Sequence, residues 1–355
     1  MPLVPRALIK KWTAIKPFLL LLPHRSKVLS AQRMAKASGL AANGKADLGA
    51  RVRATPKVYG SIGTLEVRLA QTRAEIRAAQ RLRYRVFFEE MSATPSMTAF
   101  VRRRDEDPYD PLCDHLLVID RDSGALRRQR TLRQKCWRQK CWRQRNWRWR
   151  PEVEPIVGTY RILRQDVAER HHGFYSQCEY NVAPLLAAKS DLEFMELGRS
   201  CVLPSHRTKR TIELLWHGLW TYIRENGVRV MLGCASFEGT DPDRHALALS
   251  YLHRHALAPP EWRVRAQEAR WVAMDRLPAG EIDSKAALKA IPPLIKGYLR
   301  LGAYVGDGAV VDHQFGTTDV LIILPVERID PRYFARFGAP DELTSRIRPE
   351  ARGVM

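Results

Sequence analysis

Apolar residues in the central part of the chain follow the periods of strands and helices. Alternating or continuous apolar runs predict strands, over residues 65–70, 114–120, 156–163, 193–202, 228–237, 303–311 and 319–324. Apolar residues three or four apart predict helices, over 73–91, from Ile212 to a stop at Gly227, and over 242–255. The order β-α-β-β-β-α-β-α-β-β predicts an α/β fold, a mixed sheet with flanking helices in one domain, residues 62–330.

The charge of the chain is concentrated in two segments. The 355 residues carry a formal net charge of +21, and 45% of them are apolar, which is enough for a packed core. Residues 1–59 hold twelve Lys and Arg against one acid, and residues 127–150 hold eleven and no acid. The remainder is therefore close to neutral. A nucleic-acid function would place basic residues on the folded body, so we expect no nucleic-acid partner.

The two basic segments are predicted to lie outside the packed domain. Residues 1–61 are predicted to form a disordered basic tail and linker. Its Trp12, Ile15 and Phe18 are typical of a surface-lying anchor on an anionic membrane, and a basic tail without membrane contact is the alternative. The apolar run from Pro17 to Pro23 is too short to span a bilayer. Residues 125–152 form an Arg/Trp-rich insertion, which we expect to be disordered, and 331–355 a C-terminal tail. The insertion repeats every five residues, a period that gives no amphipathic helix or strand; its Arg/Trp mixture suits an anionic membrane or stacking on nucleic acid.

The six cysteines show neither a CxxC pair nor Cys/His clusters with zinc-site spacing. Cys201 and Cys234 lie in apolar runs, which is typical of buried thiols in a reducing compartment. We therefore expect no metal site and no disulfide.

Two neighbouring features of the sequence carry candidate chemistry. Glu196 and Arg199 lie three apart in a predicted strand, so they face opposite sides unless a bulge at Gly198 turns them together. A basic loop then leads directly into a helix, and a helix N-terminus of this kind favours a phosphate. Its charged residues are His206, Arg207, Lys209 and Arg210. A strand, basic loop, helix and apolar strand in succession indicate an N-acyltransferase that binds the phosphate arm of a thioester carrier.

Several stretches resemble one family of acyltransferases. They include Arg83-Tyr-Arg-Val-Phe87, Asp107-Pro-Tyr-Asp110, Gly158-Thr-Tyr-Arg161, Glu179-Tyr, Glu196-Leu-Gly-Arg-Ser-Cys-Val and Gly233-Cys-Ala-Ser-Phe. In these the chain resembles the ornithine–acyl carrier protein N-acyltransferases, the haemolysin-like members of the Gcn5-related N-acyltransferase (GNAT) superfamily. The resemblance covers most of residues 64–240. It implies a GNAT fold and transfer of a (3-hydroxy)fatty acyl group from acyl carrier protein to the α-amine of ornithine, giving lyso-ornithine lipid.

The resemblance also implies roles for individual residues. Glu196 is the first candidate for the base that deprotonates the amine, and Glu179 is the second. Asp107 and Asp110 would hold the ammonium groups of a dibasic substrate, and Arg161 or Arg199 would bind its carboxylate. Backbone N–H groups near Gly198 would stabilise the oxyanion. Alternatively Arg83, Asp107, Asp110 and Arg161 form a structural ion-pair network. Arg83 and Phe87 complete the candidate substrate site.

The donor is expected to be the phosphopantetheine thioester of acyl carrier protein, with no permanently bound cofactor. The superfamily's glycine-rich coenzyme A loop is absent; Arg207 and Arg210 occupy that region and suit a single phosphate and an acidic carrier. We expect a cytoplasmic enzyme, peripheral on the inner face of the cytoplasmic membrane.

Other readings of the same residues stay open. A more distant likeness to acyl-homoserine-lactone synthases maps onto the same charged residues but departs from them at Ala93, where those enzymes have a tryptophan. Acyl transfer to lysine, glutamine or a homoserine-lactone precursor is therefore an alternative. A non-enzymatic basic protein on an acyltransferase scaffold, binding a membrane or nucleic acid, is another.

Overall fold

A nine-stranded mixed sheet organises the part of the chain that the computed structural model describes, residues 57–91, 93–122, 155–330 and Tyr333. Its strands are β1 (Val58–Ile62), β2 (Leu65–Leu69), β3 (Asp114–Asp120), β4 (Ile156–Arg164), β5 (Phe194–Val202), β6 (Val230–Glu238), β7 (Trp271–Val272), β8 (Tyr304–Asp312) and β9 (Thr317–Pro325). They lie in the order β1-β2-β3-β4-β5-β6-β9-β8-β7. Neighbouring strands are antiparallel except β5 and β6, which are parallel.

Helices flank the sheet on both faces. They are α1 (Arg73–Tyr84), α2 (Met97–Arg102), α3 (Gln165–Glu169), α4 (Ala183–Ala188), α5 (Lys209–Glu225), α6 (Ala246–Ala256), α7 (Ser284–Ala290) and α8 (Pro293–Arg300). Helix α1 begins at a capping box in which Thr72 and Glu75 each bond the other's backbone N–H. It continues into a π-helical turn, Arg85–Glu90, so the predicted helix over 73–91 is found with a widened last part.

The sheet begins earlier than the predicted domain start at residue 62. Residues 58–62 pair with β2, and the imidazole of His217 on α5 lies 2.8 Å from the carbonyl oxygen of Tyr59. Gly60 is needed there because a Cβ would lie 2.5 Å from the His217 ring. The glycines and lysines before β1 favoured a linker, whereas the pairing with β2 is a tertiary effect. Residues 1–56, the 125–152 insertion and residues 334–355 lie outside the described residues.

The two faces of the sheet bury different sets of residues. Alternation along β6 sends Met231 and Ala235 to the face covered by α5, α6 and α8, and Leu232 and Cys234 to the opposite face. Loops from residues 174–186 and 258–266 cover that second face. Helix α5 lies so close to the sheet that a Cβ on Gly218 would be 2.7 Å from Val67.

Strands β5 and β6 separate after a short parallel pairing. Phe194–Glu196 pair with Val230–Leu232, and no further pairs follow within these described strands. On its other edge β6 pairs with β9 along its whole length, while β5 stays paired with β4. A wedge-shaped gap therefore opens in the middle of the sheet. The apolar run over 228–237 predicted β6 but not its separation from β5.

Candidate active site

A β-bulge brings Glu196 and Arg199 to the same side of the sheet. Arg161 pairs with Gly198 and Thr159 with Cys201, so three steps along β5 match two along β4. Arg199 is the extra residue, and its backbone adopts the left-handed conformation, with φ of 51°. Both side chains then contact Tyr175: its backbone N–H donates to Glu196, and its ring lies 5.2 Å from the Arg199 guanidinium carbon. The bulge that the sequence required for these two residues to meet is present.

A cavity of about 610 Å³ passes through the gap between β5 and β6. On the face covered by α5 and α8 its wall is apolar, formed by residues such as Leu215, Trp216, Tyr298, Ile322 and Leu324. On the other face it is polar, with Arg161, Tyr175, Glu196, Arg199, Asp312 and Asp319. The sheet therefore separates an apolar chamber from a charged pocket, and the gap joins them.

Glu196 is held at the junction of these two chambers. Its carboxylate accepts hydrogen bonds from the backbone N–H groups of Tyr175 and Ser176, both at 2.7 Å. Burial raises the pKa of the Glu196 carboxyl, although the Ser176 and Tyr175 hydrogen bonds oppose the shift. A positioned carboxyl with a pKa closer to neutral is suited to take a proton from an amine.

Arg161 and Arg199 share one carboxylate. Asp107 Oδ2 accepts from Arg161 at 2.6 Å and from Arg199 at 3.2 Å. Burial alone would raise the pKa of Asp107, but the two guanidinium groups lower it below its usual range. Arg199 also stacks 4.3 Å from the ring centre of Phe315. Both arginines reach the cavity wall while Asp107 stays behind them, so the arginines are available to an anionic ligand and Asp107 orients them.

Arg83 and Asp110 lie away from the cavity, in a buried network beneath α1. Arg83 is fully buried and bonds both carboxylate oxygens of Asp110 at 2.8 Å, while its Nε lies 2.9 Å from Asp105. Burial works against the ionised form, yet Arg83 and Arg161 hold the pKa of Asp110 well below its usual range. Asp107 and Asp110 are thus occupied by arginines. The structure favours the ion-pair alternative for Arg83 and Asp110 over direct contact with a substrate ammonium.

Glu179 is close to the site but not on the described cavity wall. Its carboxylate accepts from the Cys234 thiol at 3.1 Å and lies 3.4 Å from Arg270. Burial raises the pKa of Glu179, and the Cys234 hydrogen bond opposes this. Glu196, which lines the cavity, is therefore better placed than Glu179 to reach a substrate amine.

The predicted carrier-binding residues are only partly grouped at the cavity. Arg207 lines the cavity and forms a two-bond pair with Glu90, and His206 lies 3.2 Å from Asp120. Lys209 and Arg210 are exposed on the first turn of α5. Phe87, from the π-helical turn, also lines the cavity and packs edge-on against Phe315, their centres 6.0 Å apart.

Sequence reasoning missed Asp312 and Asp319 as site residues. Asp312 ends β8 and Asp319 belongs to β9, on either side of a short turn, and both line the cavity with Thr317. The available signal was an acid next to the apolar run of β9, since Asp319 is the third residue of the strand and directly precedes Val320. An acid at the start of a predicted strand is usually exposed, so the sequence alone offered no reason to place Asp319 in a site.

Comparison with known proteins places the chain in a family. Residues 82–217 match the acetyltransferase (GNAT) domain, in agreement with the predicted fold. The chain is 50% identical over 282 residues to the L-ornithine N(alpha)-acyltransferase of Brucella abortus (strain 2308), spanning 79% of this chain and 92% of that one. The chain belongs to the L-ornithine N(alpha)-acyltransferase family.

Other members of the L-ornithine N(alpha)-acyltransferase family are similarly close. The Rhizobium meliloti (strain 1021) protein is 50% identical over 79% of this chain and 87% of its own. The Agrobacterium fabrum (strain C58 / ATCC 33970) protein is 48% identical over 80% of this chain and 89% of its own. The protein is therefore an acyltransferase, as the sequence predicted. Within the described residues, no helix is both long and apolar enough to cross a membrane.

Proposed function

We propose that this acyltransferase moves a (3-hydroxy)fatty acyl group from acyl carrier protein to the α-amine of ornithine, giving lyso-ornithine lipid. One observation carries the proposal: a single cavity crosses the sheet, with an apolar chamber on one side and a charged pocket on the other. A fatty acyl chain suits the first and an amino acid the second. The names of the relatives support ornithine as the acceptor.

The reaction needs a base next to the acceptor amine. An α-ammonium has a pKa of about 8 and must lose a proton before its nitrogen can attack a thioester. Glu196 takes that proton, and the nitrogen then bonds the carbonyl carbon. The carbon–sulfur bond breaks, the carrier thiolate leaves, and the second proton lost by the nitrogen as the amide forms protonates that thiolate. Backbone N–H groups of β5 around Gly198, at the gap, stabilise the oxyanion.

Arg161 and Arg199 supply the site for the acceptor carboxylate. Both guanidinium groups line the charged pocket and already bind the carboxylate of Asp107, which fixes their orientation. Binding the carboxylate here turns the α-amine toward Glu196. An amine without a neighbouring carboxylate would lose this contact and is a weaker acceptor.

The donor is proposed to approach from the N-terminal end of α5. Arg207 at the cavity, with exposed Lys209 and Arg210, can meet the phosphopantetheine phosphate and an acidic carrier surface. His206 supports this loop through Asp120. No permanently bound cofactor is required, because the thioester is itself a substrate. The amphiphilic product favours peripheral attachment to the inner face of the cytoplasmic membrane, with an anionic surface as partner.

The test incubates the full-length enzyme with a 3-hydroxyacyl thioester of acyl carrier protein and ornithine, and measures thiol release. We expect ornithine-dependent release with formation of the α-amide. Glu196→Gln removes the base and can keep only one of the two backbone hydrogen bonds, because its amide NH2 cannot accept from the N–H of Tyr175 or Ser176, so kcat should fall roughly 100-fold or more. Glu193→Gln, an exposed change just before the same strand, is the matched control and should keep the rate. Release without ornithine dependence would disprove the acceptor.

A further inference from the structure

Three carboxylates meet at the end of the charged pocket that lies beside the start of β9. The carboxylates of Glu179, Asp312 and Asp319 lie within 4.8 Å of one another. Asp312 and Asp319 line the cavity, and Glu179 lies behind them. Three ionised carboxylates at this distance repel each other strongly in a buried setting, so the cluster is stable when it holds a proton, as the raised pKa values of Glu179 and Asp319 indicate, or when it binds a cation.

The neighbouring groups satisfy this cluster incompletely. Glu179 has Cys234 and Arg270 as partners, and one oxygen of Asp312 accepts the backbone N–H groups of Gln314 and Phe315. Asp319 is only 7% exposed, and burial raises its pKa although side-chain hydrogen bonds from Ser236 and Thr317 oppose the shift; its Oδ1 accepts no well-aligned hydrogen bond.

A second, uncharged polar group lies at the same place. Thr317 lines the cavity two residues before Asp319, is 4% exposed, and its hydroxyl interacts with the Asp319 carboxylate. Buried polar groups in native proteins are almost always paired. The Thr317 hydroxyl has a single hydrogen to donate to Asp319, so acceptor lone pairs of both groups remain at the cavity and suit a ligand that donates hydrogen bonds.

Glu196 and this cluster lie at opposite ends of one short turn. Glu196 is held by Tyr175 and Ser176 at the start of a 3₁₀ turn, and Glu179 caps the end of that turn. Glu196, Asp312 and Asp319 also line the same polar part of the cavity. An acceptor with an amine at each end of its carbon chain can therefore meet both carboxylate groups.

We propose that Asp312 and Asp319, supported by Glu179, bind the side-chain ammonium of the amino-acid acceptor, so the enzyme selects dibasic amino acids. The ammonium has three donors, which match the oxygens of Asp312 and Asp319 and the Thr317 hydroxyl. This inference rests on the proposed acyl transfer to ornithine. It moves the ammonium contact from Asp107 and Asp110, which arginines occupy, to acids that face the cavity.

The experiment compares ornithine with norvaline, which has the same carbon chain and no side-chain amine. Wild-type enzyme should prefer ornithine by roughly 100-fold or more in kcat/KM, because norvaline leaves the buried carboxylates without a partner. Asp319→Asn and the Asp312→Asn/Asp319→Asn double variant should lose most of that preference, to within about tenfold, while norvaline turnover stays measurable. Surviving norvaline turnover shows that the variants are folded.

The control and the contrary outcomes separate this inference from the proposed function. Asp307→Asn changes an acid on the same strand that pairs with Arg265 outside the cavity lining, and should keep the wild-type preference. Wild-type enzyme that acylates both acceptors equally, or variants that keep the full preference, would overturn the inference and leave acyl transfer standing. No thiol release with either acceptor would overturn the proposed function instead.

The same three carboxylates can also hold a divalent cation, and the assay distinguishes the two ligands. Enzyme pre-treated with EDTA should keep its kcat/KM for ornithine, because an ammonium occupies the cluster. A loss of activity with EDTA that Mg²⁺ or Ca²⁺ restores would assign the cluster to a metal and overturn the ammonium assignment.

Discussion

At the scale of single residues, buried charges divide into those satisfied within the protein and those left open to the cavity. Asp110 has Arg83 and Gln80 as partners, all of them buried. Breaking such a pair leaves an uncompensated buried charge, so these residues are required for the stability of the fold. Asp319 has no compensating cation of this kind beside it. Residues of the same type therefore serve stability at one place and ligand binding at another.

Ionisation of Asp319 should lower the free energy of unfolding as pH rises, and replacing Asp319 should remove this loss. Burial first, then the Glu179 charge, raise the pKa of Asp319 to about 7, above the usual value near 4 of an unfolded chain. Between these values the native state holds a proton that the unfolded state has lost, so the free energy of unfolding falls with rising pH. Asp319→Asn cannot ionise, so its advantage over wild type should grow from near zero at pH 4 to about 4 kcal/mol at most by pH 8.

Urea unfolding of both proteins at several pH values measures this difference. The groups facing Asp319 and its cluster are Glu179, Asp312, Cys234, Tyr180 and Arg270, and they are unchanged in the variant. Asp275→Asn, which removes only a surface pair with Arg254, is the control and should follow wild type at every pH. A constant offset between wild type and Asp319→Asn across pH would contradict a raised pKa.

At the scale of elements, the separation of β5 and β6 creates the site, and Gly233 lies where it begins. A Cβ at Gly233 would be 2.2 Å from the carbonyl oxygen of Leu197 on β5, and this neighbour is backbone. Gly233→Ala must therefore push the two strands apart at the point where their pairing ends. We expect the free energy of unfolding to fall by roughly 2–4 kcal/mol. We also expect kcat to fall by a larger fraction of its wild-type value than the free energy of unfolding does.

Chemical denaturation and the thiol-release assay measure the two effects of Gly233→Ala. Gly280→Ala is the matched control: no atom lies within 4 Å of its new Cβ, so stability and rate should stay close to wild type. Wild-type stability in Gly233→Ala would show that the strands can separate further without cost.

Much of this architecture was predictable from local sequence, and the failures have physical causes. The helical period of α5 and the apolar run of β6 were sufficient to predict these two elements, because α5 buries one whole face and β6 is buried along most of its length. The sequence indicated that a bulge at Gly198 was needed for Glu196 and Arg199 to share one side of the sheet, and a glycine at that position permits one. The π-helical turn after α1 was not, because its wider hydrogen bonds, such as Met91 N–H to Val86 C=O, leave no periodic signal over one turn.

The candidate site was predictable only where its residues are neighbours in sequence. Glu196 and Arg199 share one strand, so a single local feature decides their geometry. The acidic cluster combines one residue from a loop, Glu179, with two strand residues more than 130 positions later, Asp312 and Asp319. Only the tertiary fold brings them together. Pairing also removed residues from the predicted substrate site: Arg83 and Asp110 satisfy each other.

At the scale of the whole molecule, the excess positive charge lies on segments whose removal should spare catalysis. Strands β3 and β4 pair up to Ile119 and Ile156, and Asp120 N–H bonds the Pro155 carbonyl at 3.1 Å. The two strand ends are thus already held together by backbone hydrogen bonds. A few residues are enough to join such ends, so the Arg/Trp-rich insertion, residues 125–152, is not needed to close this hairpin.

Replacing residues 125–152 by a short Gly/Ser loop should therefore leave kcat/KM within about twofold of wild type, since none of the described residues at this hairpin end, 119–122 and 155–156, lies on the cavity wall. Association with vesicles containing anionic lipid should weaken strongly, because each Lys or Arg near such a surface contributes about 1 kcal/mol and the segment carries eleven. Activity assays and vesicle sedimentation measure the two effects.

A second variant that changes those eleven residues to Gln keeps the length and the tryptophans. If the segment acts through charge, both variants lose vesicle binding equally; if the Gln variant still binds, the tryptophans carry the attachment. A large loss of kcat/KM in both variants would place the segment in the catalytic cycle.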